Sequence, residues 1–139
     1  MYRGRRLRKN SVIRDMMKET RLSAKELVYP LFVTEQPAVK QVIPAMPGVY
    51  HYSLDHLHEI LDEMVETGVL SCILFGIPLH KDACGSSAYA QDGIIQKAIA
   101  YIKQEYPMLY VIADVCMCEY TDHGHCGILC EDGHVDNDV

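Results

Sequence analysis

The chain has 139 residues and a mass of 15.7 kDa, the size of one ordinary domain, and its 49% apolar and 23% charged residues exclude wholesale disorder. The formal net charge of −6 is unevenly spread: residues 1–21 hold eight basic and two acidic side chains, a net +6, and the remainder five basic and seventeen acidic, a net −12. A basic arm on an acidic body fits contact with a second copy of that body, and it disfavours nucleic acid, whose phosphates the body repels. The longest apolar run, residues 69–79, falls short of the roughly 20 residues a membrane helix needs, so no membrane partner is expected. The basic start contains no apolar stretch of the kind a secretory signal has, and Asp15 and Glu19 count against a transit peptide. The six cysteines are therefore expected in a reducing, cytoplasmic compartment, as thiols or metal ligands.

Residues 1–10 lack hydrophobic periodicity and read as an extended arm. Ser11 is placed to cap a short helix with Val12, Ile13, Met16 and Met17 on one face. Ser23-Ala24-Lys25-Glu26 matches the S-x-x-E capping box. Residues 27–33 (LVYPLFV) read as a buried strand, blemished by Pro30, which cannot donate to a ladder. Leu54, Leu57, Ile60, Leu61, Met64 and Val65 recur at helical spacing, with Ser53 as a cap and Gly68 as the terminating glycine. Residues 71–75 (SCILF) form a second buried strand. Ile94, Ile95, Ala98, Ile99 and Ile102 mark a second long helix, which starts after Asp92 and stops before Pro107. Residues 110–115 (YVIADV) are a third strand.

The β-α-β-α-β order implies an α/β fold with parallel strands and right-handed crossovers. Links from helix to strand are short (68–70 and 107–109), whereas links from strand to helix are long (34–52, 76–91 and everything after 115). Ligands of such folds bind outside the carboxyl ends of the strands, so chemistry is expected in residues 76–91 and 116–139. Three strands do not close a barrel, which takes about 250 residues.

Four of the six cysteines (Cys116, Cys118, Cys126 and Cys130) fall within fifteen residues just past the third strand. Such a cluster can converge on one soft cation, and zinc suits it. Spacing leaves three readings open: a structural four-cysteine site that includes Cys130, an open three-ligand site, or cysteines merely packed or free. The C-x-C spacing departs from the C-x₂₋₄-C of zinc ribbons, which weakens the first. His123 and His125 read as supporting or exposed residues beside the thiolates. Cys72 reads as a small core residue and Cys84 as a loop thiol. Residues 85–93 (GSSAYAQDG) lack the order of a phosphate loop. Asp114 closes an apolar strand on the loop face, the position of a functional carboxylate.

The segment DVCMCEYTDHGHCGILCEDGHVDND resembles the metal-loop signature of the porphobilinogen synthase (δ-aminolevulinate dehydratase) family. RGRRLRKN is similar to that family's arginine-rich arm, LVYPLFV to its first strand, and IPAMPGVYHYS and GSSAYAQDG to later loops. Two departures touch no proposed ligand: Gly4 stands where proline is common and Asp122 where serine is common. The resemblance implies a partial (β/α)₈ TIM barrel, its first three strands and two helices. Residues 1–26 would be a basic arm with a short helix, and residues 27–139 a barrel portion ending in the zinc-binding loop. It further implies an open catalytic zinc on Cys116, Cys118 and Cys126, with Cys130 a neighbour and Asp114 an active-site carboxylate. The implied activity is condensation of two 5-aminolevulinate molecules to porphobilinogen, in a homo-octamer, with magnesium as a further metal of the full-length enzyme.

The family forms Schiff bases through two lysines on later strands, which need a dry pocket and a lowered pKa. Lys25, Lys40, Lys81, Lys97 and Lys103 do not match those lysine motifs. The chain is thus expected to represent about the first two-fifths of the enzyme and to be inactive alone. The competing expectation is a non-catalytic module folded around a four-cysteine zinc.

Overall fold

The structure, a computed structural model, describes residues 4–138; Tyr2 and Arg3 of the expected arm, and Val139, lie outside them. Its frame is a five-stranded sheet built from β1 (Tyr29–Thr34), β2 (Lys40–Val42), β3 (Tyr50–Ser53), β4 (Ser71–Ile77) and β5 (Tyr110–Ala113), in the order β2-β3-β1-β4-β5. The helices are α1 (Ser11–Met16), α2 (Leu57–Thr67) and α3 (Ile94–Glu105). Strands β3, β1, β4 and β5 run parallel, and β2 runs antiparallel to β3. Among the described residues no helix is long and apolar enough to cross a membrane.

The core lies on one face of the sheet. Leu31 and Val33 of β1 and Cys72 and Leu74 of β4 alternate toward it, and each is at most 1% exposed. Leu57, Ile60, Leu61 and Met64 of α2 cover them together with Ile94, Ile95, Ala98 and Ile102 of α3, both sets recurring at helical spacing. The opposite face is only half-covered: Phe32 and Phe75 stack there with centroids 5.1 Å apart, and Ile73 sits beside them. The apolar runs suggest burial on both faces, and the structure shows why one face lags: both long helices pack on the other. Strand β1 begins at Tyr29, two residues later than the apolar run, because Leu27 and Val28 are exposed. Pro30 is accommodated because β3 pairs with β1 only from Phe32 onward, so its missing N–H faces no second strand.

The 34–52 link holds β2 and β3, which the periodicity does not announce. Strand β2 is exposed throughout and too short for an alternating pattern. It is held by Lys40, whose Nζ lies 5.3 Å and 5.8 Å from the Tyr50 and Tyr52 ring centroids and 2.6 Å from Glu59 Oε2 on α2.

The caps also differ in detail. Asn10, not Ser11, caps α1, accepting from the Ile13 N–H at 2.9 Å. Ser53 does not cap with its side chain; its Oγ accepts from the Val39 N–H and donates to the Val39 carbonyl, and a 3-10 turn over Leu54–His56 leads into α2. Gly68 ends α2 at φ 77°, a left-handed conformation open to glycine. The capping box at Ser23 and Glu26 forms. The arm is not wholly extended, since Arg6–Arg8 make a 3-10 turn.

Gly76 lies on the core face of β4. A Cβ there would run into Tyr120 Oη and come within 2.9 Å of Ile95. Gly76→Ala is therefore expected to destabilise the chain by about 1–3 kcal/mol through overpacking, read from its denaturant midpoint. A second expectation concerns acid. Hydrogen bonds from Lys40 and His56 hold the Glu59 carboxyl down at about 2, against its ordinary 4.5. A lowered folded-state pKa means that the contribution is present above pH 4.5 and lost as pH falls toward about 2. Glu59→Gln should flatten the stability profile across that window, followed by acid titration of the circular dichroism signal.

Candidate metal centre

Pairing of β5 with β4 ends at Ala113, but the Asp114 N–H still reaches the Leu74 carbonyl at 3.2 Å. Asp114 is thus half-buried and anchored at the sheet edge, while Val115 swings out, 97% exposed. A turn follows in which the Met117 carbonyl accepts from the Tyr120 and Thr121 N–H groups at 2.9 and 3.0 Å. Tyr120 and Thr121 are buried, and Tyr120 fills the space above Gly76. The chain then returns: the Thr121 hydroxyl donates to the His125 carbonyl at 2.9 Å, and Gly124 and Gly127 take positive φ of 75° and 138°.

This path delivers Cys126 to Cys116 and Cys118. The three sulfurs lie within 4.8 Å of one another, with Cys116 Sγ 2.8 Å from Cys118 Sγ and 3.3 Å from Cys126 Sγ. A tetrahedral ion with sulfur bonds of about 2.3 Å holds its sulfurs roughly 3.8 Å apart, inside that span. Three soft donors on a mobile-length loop, partly exposed, fit a thiophilic divalent ion. The hydrogen bond with Cys118 pushes the Cys116 thiol up to about 12, whereas hydrogen bonds from Cys116 and the Met117 N–H draw Cys126 down.

Among the described residues no fourth ligand atom joins this group, and Cys130 stands apart. Its N–H donates to the His134 carbonyl at 2.7 Å in a turn closed by the Leu129–Val135 bridge. His123 and His125 stack on each other, centroids 5.8 Å apart, also outside the thiol group. Cys72 is buried in the core, and burial pushes its thiol up to about 11. Cys84 is exposed in the loop after β4.

Beside the sulfurs, Asp114, Cys116 and Tyr120 line a cavity of about 340 Å³ together with Ala88, Tyr89 and Ile95. Two acids with structural consequence carry no distinct sequence signal as site residues. Glu119 is half-buried, and burial followed by the charge of Asp114 raises its carboxyl. Asp82 organises the loop after β4, its Oδ1 accepting from the Cys84 and Ser86 N–H groups at 3.0 Å each. The string Asp82-Ala83-Cys84-Gly85-Ser86 does carry the signature of an Asx turn, which could have located it.

A family model described as delta-aminolevulinic acid dehydratase matches residues 1–139. The chain is 52% identical over 136 residues to the delta-aminolevulinic acid dehydratase of Halalkalibacterium halodurans, covering 98% of this chain and 41% of that protein. It is 51% identical over 136 residues to the Bacillus subtilis protein of the same description, covering 98% and 42%. A crystal structure of delta-aminolevulinic acid dehydratase (porphobilinogen synthase) from Toxoplasma gondii, in complex with its reaction product porphobilinogen, superposes with a TM-score of 0.90 at 31% identity. That match covers 99% of this chain and 40% of the other, so the chain spans about two-fifths of the length of the relatives it matches.

Thiol counting checks the arrangement. Five of the six cysteines should react with a disulfide reagent in the folded chain, and Cys72 only on unfolding. A saturating thiophilic ion should protect three of the five.

Proposed function

The chain belongs to the delta-aminolevulinic acid dehydratase family, and on that premise we propose that it supplies the metal loop of a zinc-dependent porphobilinogen synthase. The proposed whole-protein activity is condensation of two 5-aminolevulinate molecules to porphobilinogen, in the cytoplasm and within tetrapyrrole synthesis. The observation that carries the reading is the convergence of Cys116, Cys118 and Cys126 beside Asp114 at the carboxyl edge of the sheet.

Zinc is the proposed ion because three thiolates with a free fourth position match its catalytic sites. When bound, it supplies Lewis acidity toward an oxygen or a water in that position. The remaining roles fall to the chain. Asp114 offers carboxylate oxygens on the cavity wall, where the ammonium group of 5-aminolevulinate finds a charge-assisted acceptor. Its backbone bond to Leu74 limits how far that carboxylate drifts. Tyr120, buried between β4 and α3, closes the cavity floor to water. Glu119, whose carboxyl is raised by burial and then by the nearby Asp114, adds a second acid to this edge of the sheet. The chain's own lysines do not match the Schiff-base motifs, so carbonyl capture is assigned to strands outside it, and magnesium to the assembled enzyme.

The +6 arm is proposed to lie on the acidic body of a neighbouring copy in a homo-octamer. Supporting this, Val12 (65%) and Met16 (72%) of α1 and Met17 (51%) just after it are exposed beside basic residues, an apolar stripe left open among the described residues.

The test is a chimera in which this chain replaces the matching stretch of the Bacillus subtilis relative. The chimera should form porphobilinogen, and the chain alone should show no pyrrole above background. Cys126→Ala in the chimera should lower activity by more than about 100-fold and remove zinc, because loss of a ligand exceeds the effect of losing its supports. Cys130→Ala should leave both within about twofold. A folded chimera that is inactive overturns the function. Loss of zinc in Cys130→Ala, with four sulfurs by X-ray absorption, favours a closed structural site instead.

A further inference from the structure

The loop after β4 and the loop after β5 are forty residues apart in sequence, yet a backbone bridge and a ring contact tie them. Asp82 bridges Thr121, the Asp122 N–H donates to the Asp82 carbonyl at 3.2 Å, and His123 Nε2 lies 3.2 Å from the Ala83 carbonyl. His123 Nδ1 meanwhile lies 3.2 Å from the His125 N–H, one residue before Cys126. A carbonyl can only accept and an amide N–H can only donate. Nε2 thus faces an acceptor and Nδ1 a donor, so the ring is placed to donate to Ala83 and to accept from His125. One rigid ring joins backbone on both sides.

Beyond Ala83, the Asp82 carboxylate gathers the next turn: Oδ1 holds the Cys84 and Ser86 amides, and Oδ2 accepts from the Ser86 hydroxyl. That turn leads directly into the 3-10 turn Ser86–Ala88 and Tyr89, and Ala88 and Tyr89 line the Asp114 cavity. A path that alternates hydrogen bonds with short backbone segments thus runs from the residue beside a sulfur donor to Ala88 and Tyr89 in the cavity lining.

The geometry points to His123 as a positioning residue that clasps the cysteine loop to the Asp82 turn, so that metal capture by Cys116, Cys118 and Cys126 also orders the Ala88–Tyr89 wall. The inference rests on the metal reading above. Cys126 is exposed on a loop with two positive-φ glycines, so ligation restricts it strongly. The His125 amide moves with it, and the ring passes that restriction to Ala83 without a flexible side chain in between. Without the ring, the Asp82 backbone contacts remain as the hydrogen-bonded link between the loops among the described residues.

The test follows amide exchange by mass spectrometry in the chain, with and without added zinc. In the wild type, zinc should slow exchange over residues 121–127 and also over residues 84–86, there by roughly fivefold, the worth of one net hydrogen bond. His123→Ala should bind zinc with unchanged stoichiometry yet show slowing over 121–127 only. His123→Asn keeps an acceptor for the His125 amide but is too short to reach Ala83. It should match wild type at residue 125 and the alanine variant at residues 84–86. Zinc binding without slowing at 84–86 in the wild type, or equal slowing there in all three proteins, overturns the clasp. Failure of the wild type to bind zinc overturns the metal reading instead. The two failures separate in the metal-free samples, where His123→Ala should speed exchange at 84–86 and an unchanged rate removes the clasp itself.

Discussion

Leu31, Val33, Cys72 and Leu74 are buried because α2 and α3 both pack on one face of the parallel sheet, and most of the remaining architecture follows from that. Parallel strands must be joined by crossovers, so the strands all point their carboxyl ends to the same edge. Every long link therefore leaves from one side. Asp114, the cysteine loop and the Asp82 turn share that edge because of strand direction, even though they are far apart in sequence. The same one-sidedness leaves Phe32, Ile73 and Phe75 half-covered on the other face, as expected of a surface that lines the inside of a larger barrel.

The site borrows its rigidity from this frame. Gly76 has no side chain, so Tyr120 can sit against β4 and Ile95 of α3, and the cysteine loop is pinned to the core there. Thr121, buried next to it, spends its hydroxyl on the His125 carbonyl and so shapes the return toward Cys126. Outward from this anchor, exposure rises through His123 and Cys126, where geometry depends on hydrogen bonds and not on packing. Ligand groups held this way can adjust to an ion and still come from a fixed direction.

The electrostatics of the edge are opposed in sign to the arm. Asp114 and Glu119 stand beside the cysteine loop, and burial, then the neighbouring Asp114, raises the Glu119 carboxyl. A cation among the sulfurs relieves this crowding of acidic groups. The basic residues sit mainly in residues 1–21, so the proposed arm-to-body contact between copies would bring the two signs together.

Periodicity was enough to locate α2, α3 and β4, because each buries a clear apolar stripe, and β5 was legible from its apolar run although its residues stay half-buried or exposed; the parallel strand direction followed from their alternation with helices. The cysteine spacing identified which residues could meet, since a loop just past a strand end with two glycines has few ways to return. Strands β2 and β3 were not legible. They are held by Lys40 on two tyrosine rings and on Glu59, contacts between residues up to nineteen apart that leave no local pattern. The exclusion of Cys130 from the sulfur group was not legible from spacing either, because it depends on the Leu129–Val135 bridge turning that segment aside. Nor were the ties from Asp82 to Asp122 and from His123 to Ala83, whose partners lie forty residues away in the other loop. The sequence by itself determined the fold class, the strand direction and the set of candidate ligands, because these rest on local hydrophobic pattern and residue chemistry. Only the tertiary structure decided which sulfurs converge and which loops are tied, because those depend on close packing and hydrogen bonds between segments that meet only once the sheet has formed.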